Sequence, residues 1–564
     1  MSLNGALQVG QSAILASQAA ISVAGNNMAN AATPGYHRQR IGIMPGRPES
    51  IGRGQFTGTG VQIGSITRQI DVALQARMRT AIGDQAGAMI DQRFLASVEL
   101  LQNELSGADI SSQVSAFFNS WSELANNPTD SGMRSLVLQQ GESLAGGIRQ
   151  LRGEYVVLRE EADRGLGVAV ERADAILEEI AQLNISIAQT EQGVGQANTL
   201  RDQRDGLIDE LSELIDVTTI DQANGAVDVL VGSLPVVISG ESRGLELRTE
   251  TVNGLREVSI RIEADGSDLM VSSGTIGGLL RQREQTIEPV IQTLDQFTSQ
   301  LIFEVNRVHS QGQGARGWSQ LTSSNAVSDP SAALNASASE LPYRMENGSF
   351  LISVTDPGTG SSSSFLIEID PDLDSLDSVA SRIQSAIGPG GGTAVVGQDG
   401  TLQLTAPEGQ ELSFSEDSGG FLAALGINSF FDGSDGADVA VNGSILSDSS
   451  LLATGSDFTA GSNGNVLKMV ELRDKAVGGL SGRSLREFWE SGVNDLAVRA
   501  SAANTRLEGA AVVTESLFAQ NQAVSGVSLD EEAIDLLSYQ RQFQAAARYL
   551  SVIDETLQSL LSIA

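Results

Sequence analysis

A chain of 564 residues with no cysteine, 35 Lys+Arg and 70 Asp+Glu can make no disulfide, no thiolate nucleophile and no Cys-built zinc site. Its formal net charge of -35 argues against nucleic acid, which needs a basic patch, and against an anionic membrane surface. The length suits roughly three to five domains, and aromatics at 4% mean cores built mostly from Leu, Ile, Val and Ala.

The first residues, MSLNGALQVGQSAILASQAA, lack a basic n-region, and Gln and Ser interrupt any apolar run. No classical signal peptide and no transmembrane helix are expected, so the protein is cytoplasmic or leaves by a route that reads no such signal. Leu7, Ile14, Ile21 and Met28 recur every seven residues, with Leu3, Gly10, Ser17 and Ala24 between them. Large residues on one row and small ones on the other predict a helix from about Leu3 to Asn30 that another helix approaches closely. No charged residue precedes Arg38. A segment lying among copies of itself carries charge only at a cost in repulsion and lost hydration. Pro34 ends the helix, in Thr33-Pro34-Gly35.

Helical spacing continues over about 69–107, 110–125, 131–192 and 196–216, where Arg201 and Asp205 are spaced as an i,i+4 pair. Residues about 217–272 alternate as strands, with turns expected at Asn224-Gly225, Asn253-Gly254 and Asp265-Gly266. A further helix covers about 275–309. Residues about 340–460 again read as β structure, with turns at Asn347-Gly348 and Asp399-Gly400 and one helix from about Leu376 to Ile387. Helix returns over about 480–524. The last segment opens on a capping box, Ser528 to Glu531. Leu536, Phe543, Leu550 and Leu557 then alternate with Tyr539, Ala546, Ile553 and Leu560 as an unbroken heptad seam.

Signals for chemistry are weak. Gly312 to Gly317 fits G-x-G-x-x-G, but a helix precedes it and a loop follows, the reverse of a dinucleotide site. The acidic runs Asp370 to Asp377 and Asp432 to Asp438 lack the Gly and Glu of a calcium loop. His309 is expected to serve a helix C-terminus, His37 with Arg38 and Arg40 to form a small basic contact surface, and Trp121 to be core. No catalytic residue, metal or cofactor is expected. The chain offers interfaces.

Ala24-Gly25-Asn26-Asn27-Met28-Ala29-Asn30, then Thr33-Pro34-Gly35-Tyr36, resembles the N-terminal signature of bacterial flagellar axial proteins, the rod, hook and hook-associated subunits. Phe56-Thr57-Gly58-Thr59-Gly60-Val61, followed by Ile66 and Arg68, looks like that family's next element. Ala197 to Asp205 and Ser525 to Glu532, with Tyr539-Gln540 and Ala545 to Arg548, resemble its hook-associated branch. The resemblance implies a structural, non-enzymatic protein of the hook–filament junction, acting in motility and exported by the flagellar type III apparatus without a cleaved signal peptide. It implies self-assembly into a ring or short helical layer. The implied partners are hook protein, the second junction protein, transiently the filament cap, and an export chaperone on Leu536, Phe543, Leu550 and Leu557. The expected assembly interface comprises Leu3, Leu7, Ile14, Ile21, Asn26, Asn27, Met28, Asn30, Pro34 and Gly35, with Leu536, Tyr539, Phe543, Leu550, Ile553, Leu557 and Leu560.

The expected fold is α+β: long terminal helices pairing as a coiled coil, a helical middle domain with a β subdomain, and an inserted β-rich outer domain. The expected boundaries are 1–50 and 525–564 for the coiled-coil core, 51–325 and 466–524 for the helical domain with its β subdomain at about 217–272, and 326–465 for the insertion. The alternatives are a hook or filament subunit of the same family, or an outer domain acting as an adhesin.

Overall fold

Helix periodicity in the sequence becomes long helices in the structure, a computed structural model. It describes residues 3–563 other than 53, 105–106, 108, 193–194, 253–254, 389 and 458–460. In chain order the helices are α1 Leu3–Ala29, α2 Val72–Gln102, α3 Ile110–Asn126, α4 Ser131–Glu191, α5 Asn198–Leu214, α6 Gly274–Gln282 and α7 Glu288–His309. There follow α8 Leu376–Ile387, α9 Phe421–Leu425, α10 Gly443–Ser447, α11 Gly464–Leu472, α12 Leu485–Ser525 and α13 Leu529–Ile563. The expected helix over 275–309 is two helices joined by a wide π turn at Arg283–Ile287, directly before Pro289, which has no N–H to continue an α-helical ladder. No helix among the described residues is long and apolar enough to cross a membrane.

The chain divides into two units. The first comprises Met1–Arg93, Ala162–Gln282 and Ala502–Ala564. In it, strand Gln39–Pro45 pairs antiparallel with Val61–Arg68, and Glu49–Gly52 pairs with Gln55–Thr57. These ribbons lie outside the strand regions expected from sequence, because Gly and Pro interrupt their alternation. A four-stranded antiparallel sheet runs Thr218–Asp221, Val227–Val231, Leu234–Ile238, Glu241–Ser242, and Leu245–Val252 pairs with Leu255–Ile262. The Asn224-Gly225 turn forms as expected, with Gly225 at φ +85. The expected Asn253-Gly254 turn lies outside the described residues. Buried Asn184 of α4 fixes the sheet by donating to the Val227 carbonyl at 2.8 Å and accepting from the Val227 N–H at 3.0 Å.

The second unit comprises Phe94–Glu161 and Arg283–Ser501. Its aromatic core is few but dense: Phe117, Phe118, Trp121, Phe430 and Phe431 are all at most 1% exposed, and Phe430 and Phe431 meet edge-on at 4.7 Å. Two three-stranded sheets order as Ser362–Ile369, Gly348–Thr355, Glu411–Ser415 and as Gln320–Thr322, Leu402–Thr405, Thr393–Val396. The turn expected at Asn347-Gly348 is not one. Gly348 begins a strand, and the hairpin turns at Asp356, which accepts from the Gly358 N–H at 2.7 Å. The acidic runs serve the fold: Asp374 holds Arg382 at 2.7 Å, and Asp438 accepts from the Ser434 N–H at 2.7 Å.

His309 corrects the helix-dipole expectation. It is fully buried, with Nδ1 2.8 Å from the Asn428 carbonyl and Nε2 accepting from the Ala453 N–H at 3.1 Å. That pairing requires the neutral ring, and burial lowers its pKa to about 4. Its stabilisation is therefore full above pH 6.5 and is lost as pH falls from 6.5 towards 4, because the unfolded chain takes up the proton first. Denaturant titrations of wild type and His309→Gln between pH 7.5 and 4.5 should differ by about 2–3 kcal/mol in the stability lost. Parallel pH profiles would contradict this.

Candidate assembly site

The sequence of α1 dictates how it is approached. Gly10, Ser17 and Ala24 are buried, whereas Leu3, Leu7, Ile14, Ile21 and Met28 are half-buried. The tenant of the small row is α13, which packs along it. A Cβ on Gly10 would come within 2.6 Å of Leu550 Cδ2 and 3.2 Å of Tyr549 Cδ1. Asn27 meets Glu532 at the other end of the pair, so the two helices run antiparallel. Carried along, this register sets Ser17 near Phe543 and Ala24 near Leu536, small against large at each step. Leu536, Tyr539, Phe543, Leu550 and Leu557 are half-buried and Ile553 is buried, while Leu560 is 51% exposed. Gly10→Val would push Leu550 out of register at a cost of about 1–3 kcal/mol, read as faster amide exchange across α13; unchanged exchange would refute the close approach.

After α1 the chain turns sharply. Asn30 Nδ2 donates back to the Asn26 carbonyl at 2.9 Å, and the Tyr36 N–H reaches the Thr33 carbonyl at 3.2 Å across Pro34-Gly35. Gly35 sits at φ +74, the left-handed position a type II turn requires, with Pro before it. Asn26, Pro34 and Gly35 are exposed, and Asn30 is half-buried.

The turn delivers Tyr36, His37, Arg38 and Gln39 onto a buried polar hub. Asn27 is 1% exposed and uses every hydrogen-bonding position of its amide. Its Oδ1 accepts from the Gln39 N–H at 3.0 Å and the Tyr36 hydroxyl at 2.8 Å. Its Nδ2 donates to the Gln39 carbonyl at 2.9 Å and to Glu532 Oε2 at 3.1 Å. Burial, together with the negative charges of Asp202 and Glu532, pushes the Tyr36 phenol up to about 12, so it stays a donor. Arg38 Nε donates to Glu532 Oε1 and its Nη1 to Glu531 Oε2, both at 2.7 Å. Burial pulls the Arg38 guanidinium down, but these two carboxylates outweigh it and hold it above its ordinary value. The backbone half of the capping box forms, with the Glu531 N–H 3.4 Å from Ser528 Oγ, while the Glu531 carboxylate is taken up by Arg38.

The other side of the hub is the start of α5. His37 Nδ1 lies 2.8 Å from Asp202 Oδ1, and its Nε2 lies 3.0 Å from Gln75 Nε2. Arg68 Nη1 bridges Asp202 at 2.8 Å and Asp205 at 2.6 Å, and Arg79 Nε donates to Asp209 at 2.7 Å. Burial pushes the Asp205 carboxyl up, but Arg68, Arg79 and Arg204 outweigh it and hold it below the usual range. Asn198 Nδ2 closes the joint on the Ile66 carbonyl at 3.1 Å.

Two expectations are corrected here. His37 and Arg38 are each 7% exposed and form no basic surface; only Arg40 faces out. Arg201 does not pair with Asp205: its Nε donates to Glu191 at 2.7 Å, because Asp205 turns inward to two other arginines. Sequence reasoning named Arg68 only within the stretch that follows Val61, without a partner, and missed Gln75 and Arg79 altogether. The signal for the hub was present in the three quoted stretches, 24–36, 197–205 and 525–532, which the fold brings together.

Comparisons with known proteins follow the same stretches. Residues 95–322 match the family described as Flagellar hook-associated protein FlgK helical domain. Residues 7–37 match Flagella basal body rod protein, and 520–563 match Flagellar basal body rod FlgEFG protein C-terminal. The chain is 24% identical to Flagellar hook-associated protein 1 of Escherichia coli strain K12 over 568 residues, covering 98% of each. It is 24% identical to the protein so described from Bacillus subtilis strain 168, covering 99% of this chain and 97% of that one. Its fold is similar to the flagellar hook junction protein FlgK from Burkholderia pseudomallei, with a TM-score of 0.51 and 15% identity, covering 80% of this chain and 100% of that one. The resemblance drawn from the motifs is borne out along the length of the chain.

Proposed function

We propose that this chain, a flagellar axial protein of the hook-associated kind, is a structural subunit of the junction that connects the flagellar hook to the filament. The observation that carries the reading is the hub. Three segments far apart in sequence, each similar to axial proteins, converge on one buried ion-pair network that fixes both terminal helices. The antiparallel pair α1 and α13 forms an assembly core of coiled-coil type, with the half-buried rows Leu7, Ile14, Ile21 and Leu536, Phe543, Leu557 completed by neighbouring copies. Residues 1–50 and 525–564 make this core domain within the first unit, and the β-rich stretch 326–465 belongs to the second. Before assembly, an export chaperone covers the C-terminal seam at Leu536, Phe543, Leu550 and Leu557, postponing the ordering cost until neighbours offset it. The chain is exported without a cleaved signal peptide and works outside the cell, between hook protein and a second junction protein, after transient contact with the filament cap.

Deleting this chain should leave cells with hooks of normal length and no filaments, seen by negative stain. Filaments of ordinary length on the deletion strain would sink the reading.

A further inference from the structure

Within the first unit a groove of about 510 Å³ runs between α2 and α12. Arg77, Ala81 and Asp84 line one side at helical spacing, and Arg506, Ala510 and Val513 line the other. Gly509 stands on the α12 side, and beyond its own stretch of helix backbone no heavy atom of the described residues lies within 4 Å of where a Cβ would be. A glycine inside a helix is destabilising relative to Ala, and no side chain or other segment among the described residues fills the room it leaves. Val512 and Val513 beside it are 67% and 52% exposed. The rim is positive in a chain of net charge -35. Arg77 makes no ion pair among the described residues, and Arg506, 70% exposed, comes no nearer than 3.9 Å to Asp91, which Arg281 already holds at 2.9 Å. Asp84 is the one acid on this rim among the described lining residues.

We propose that this groove receives the first turns of α13 from a second copy of the chain. That segment is complementary in both respects. Ile534 and Leu537 are 67% and 56% exposed and share a face with Asp530, one turn earlier, which makes no ion pair among the described residues. The two apolar side chains lie over Gly509 and Ala510, and Asp530 meets Arg506. Groove and knob are different surfaces of one chain, so the contact is heterologous and builds rings or helical layers, not closed pairs. The inference rests on the junction reading and names the surface by which neighbouring copies meet.

The absence of cysteine makes the test direct. A Gly509→Cys/Ile534→Cys chain, assembled on isolated hooks and treated with a short bis-maleimide, should give a ladder of covalent multimers, while each single-cysteine chain stays monomeric. Both positions are open to solvent, and circular dichroism checks the fold. Adding Arg506→Glu should cut the ladder about tenfold, and combining it with Asp530→Arg should restore it. If the double-cysteine chain assembles on hooks at the wild-type level without a ladder, the groove proposal fails and the junction reading stands. If wild type adds to no hooks, the junction reading fails, and the same cross-link in concentrated free protein decides the groove: a ladder supports it and monomer overturns it.

Discussion

Replacing Leu550 with Asp abolishes addition of the protein to hook ends while the second unit stays folded. Leu550 is the residue over Gly10, held within 2.6 Å of where a Cβ on that glycine would stand. A carboxylate there sits against apolar helix backbone with no cation of α1 to meet it, since α1 carries no charged residue. Lost apolar burial and carboxylate desolvation together cost on the order of 3–5 kcal/mol at the pairing of the two helices. Only the terminal pair depends on that contact. Amide exchange should therefore quicken across α1 and α13, thermal unfolding of the aromatic core around Phe117 and Phe430 should not move, and hook binding should vanish. A Leu550→Asp protein that assembled at the wild-type level would contradict the seam.

Arg38→Ala is expected to be nearly as severe by a different route. Glu532 is 2% exposed and its charge is met by Arg38 at 2.7 Å and by the Asn27 amide. Removing the arginine leaves a buried carboxylate without its counter-ion, which costs about 3–5 kcal/mol. Replacing both partners, Arg38→Met with Glu532→Leu, should recover part of that loss, because the uncompensated charge is gone while the buried Asn27 amide still loses its Glu532 acceptor. The measurement is limited proteolysis after α1 and before α13, with hook binding in parallel. Equal protease resistance in wild type and Arg38→Ala would show that the hub does not fix the terminal helices.

The elements were legible where period and punctuation agree. The heptads of 3–30 and 536–560 gave α1 and the body of α13; Pro34 and Gly35 gave the turn; Leu376 and Ile387 bracketed α8. The ribbons between Gln39 and Arg68 were not legible, because a strand broken by Gly42, Gly46 and Pro48 shows no period to read. Asn347-Gly348 misled because the dipeptide also suits the entry to a strand. The hub was half legible. The motifs were visible as similar stretches, but local spacing could not show that Asp205 would leave Arg201 for Arg68, or that Arg38 would be buried against Glu532. Those choices are set by which helices meet, and long-range pairing leaves no local period. The same holds for His309, whose neutral ring is fixed by Asn428 and Ala453, more than a hundred residues away.

The central claim is that the protein forms the layer between hook and filament through its terminal helices. Electron microscopy of the purified full-length chain mixed with isolated hooks lacking their junction proteins tests it most directly. A thin added layer confined to the distal hook end, absent with Leu550→Asp, is the expected result. Long self-polymers that ignore the hook ends would instead make the chain a bulk hook or filament subunit and contradict the account.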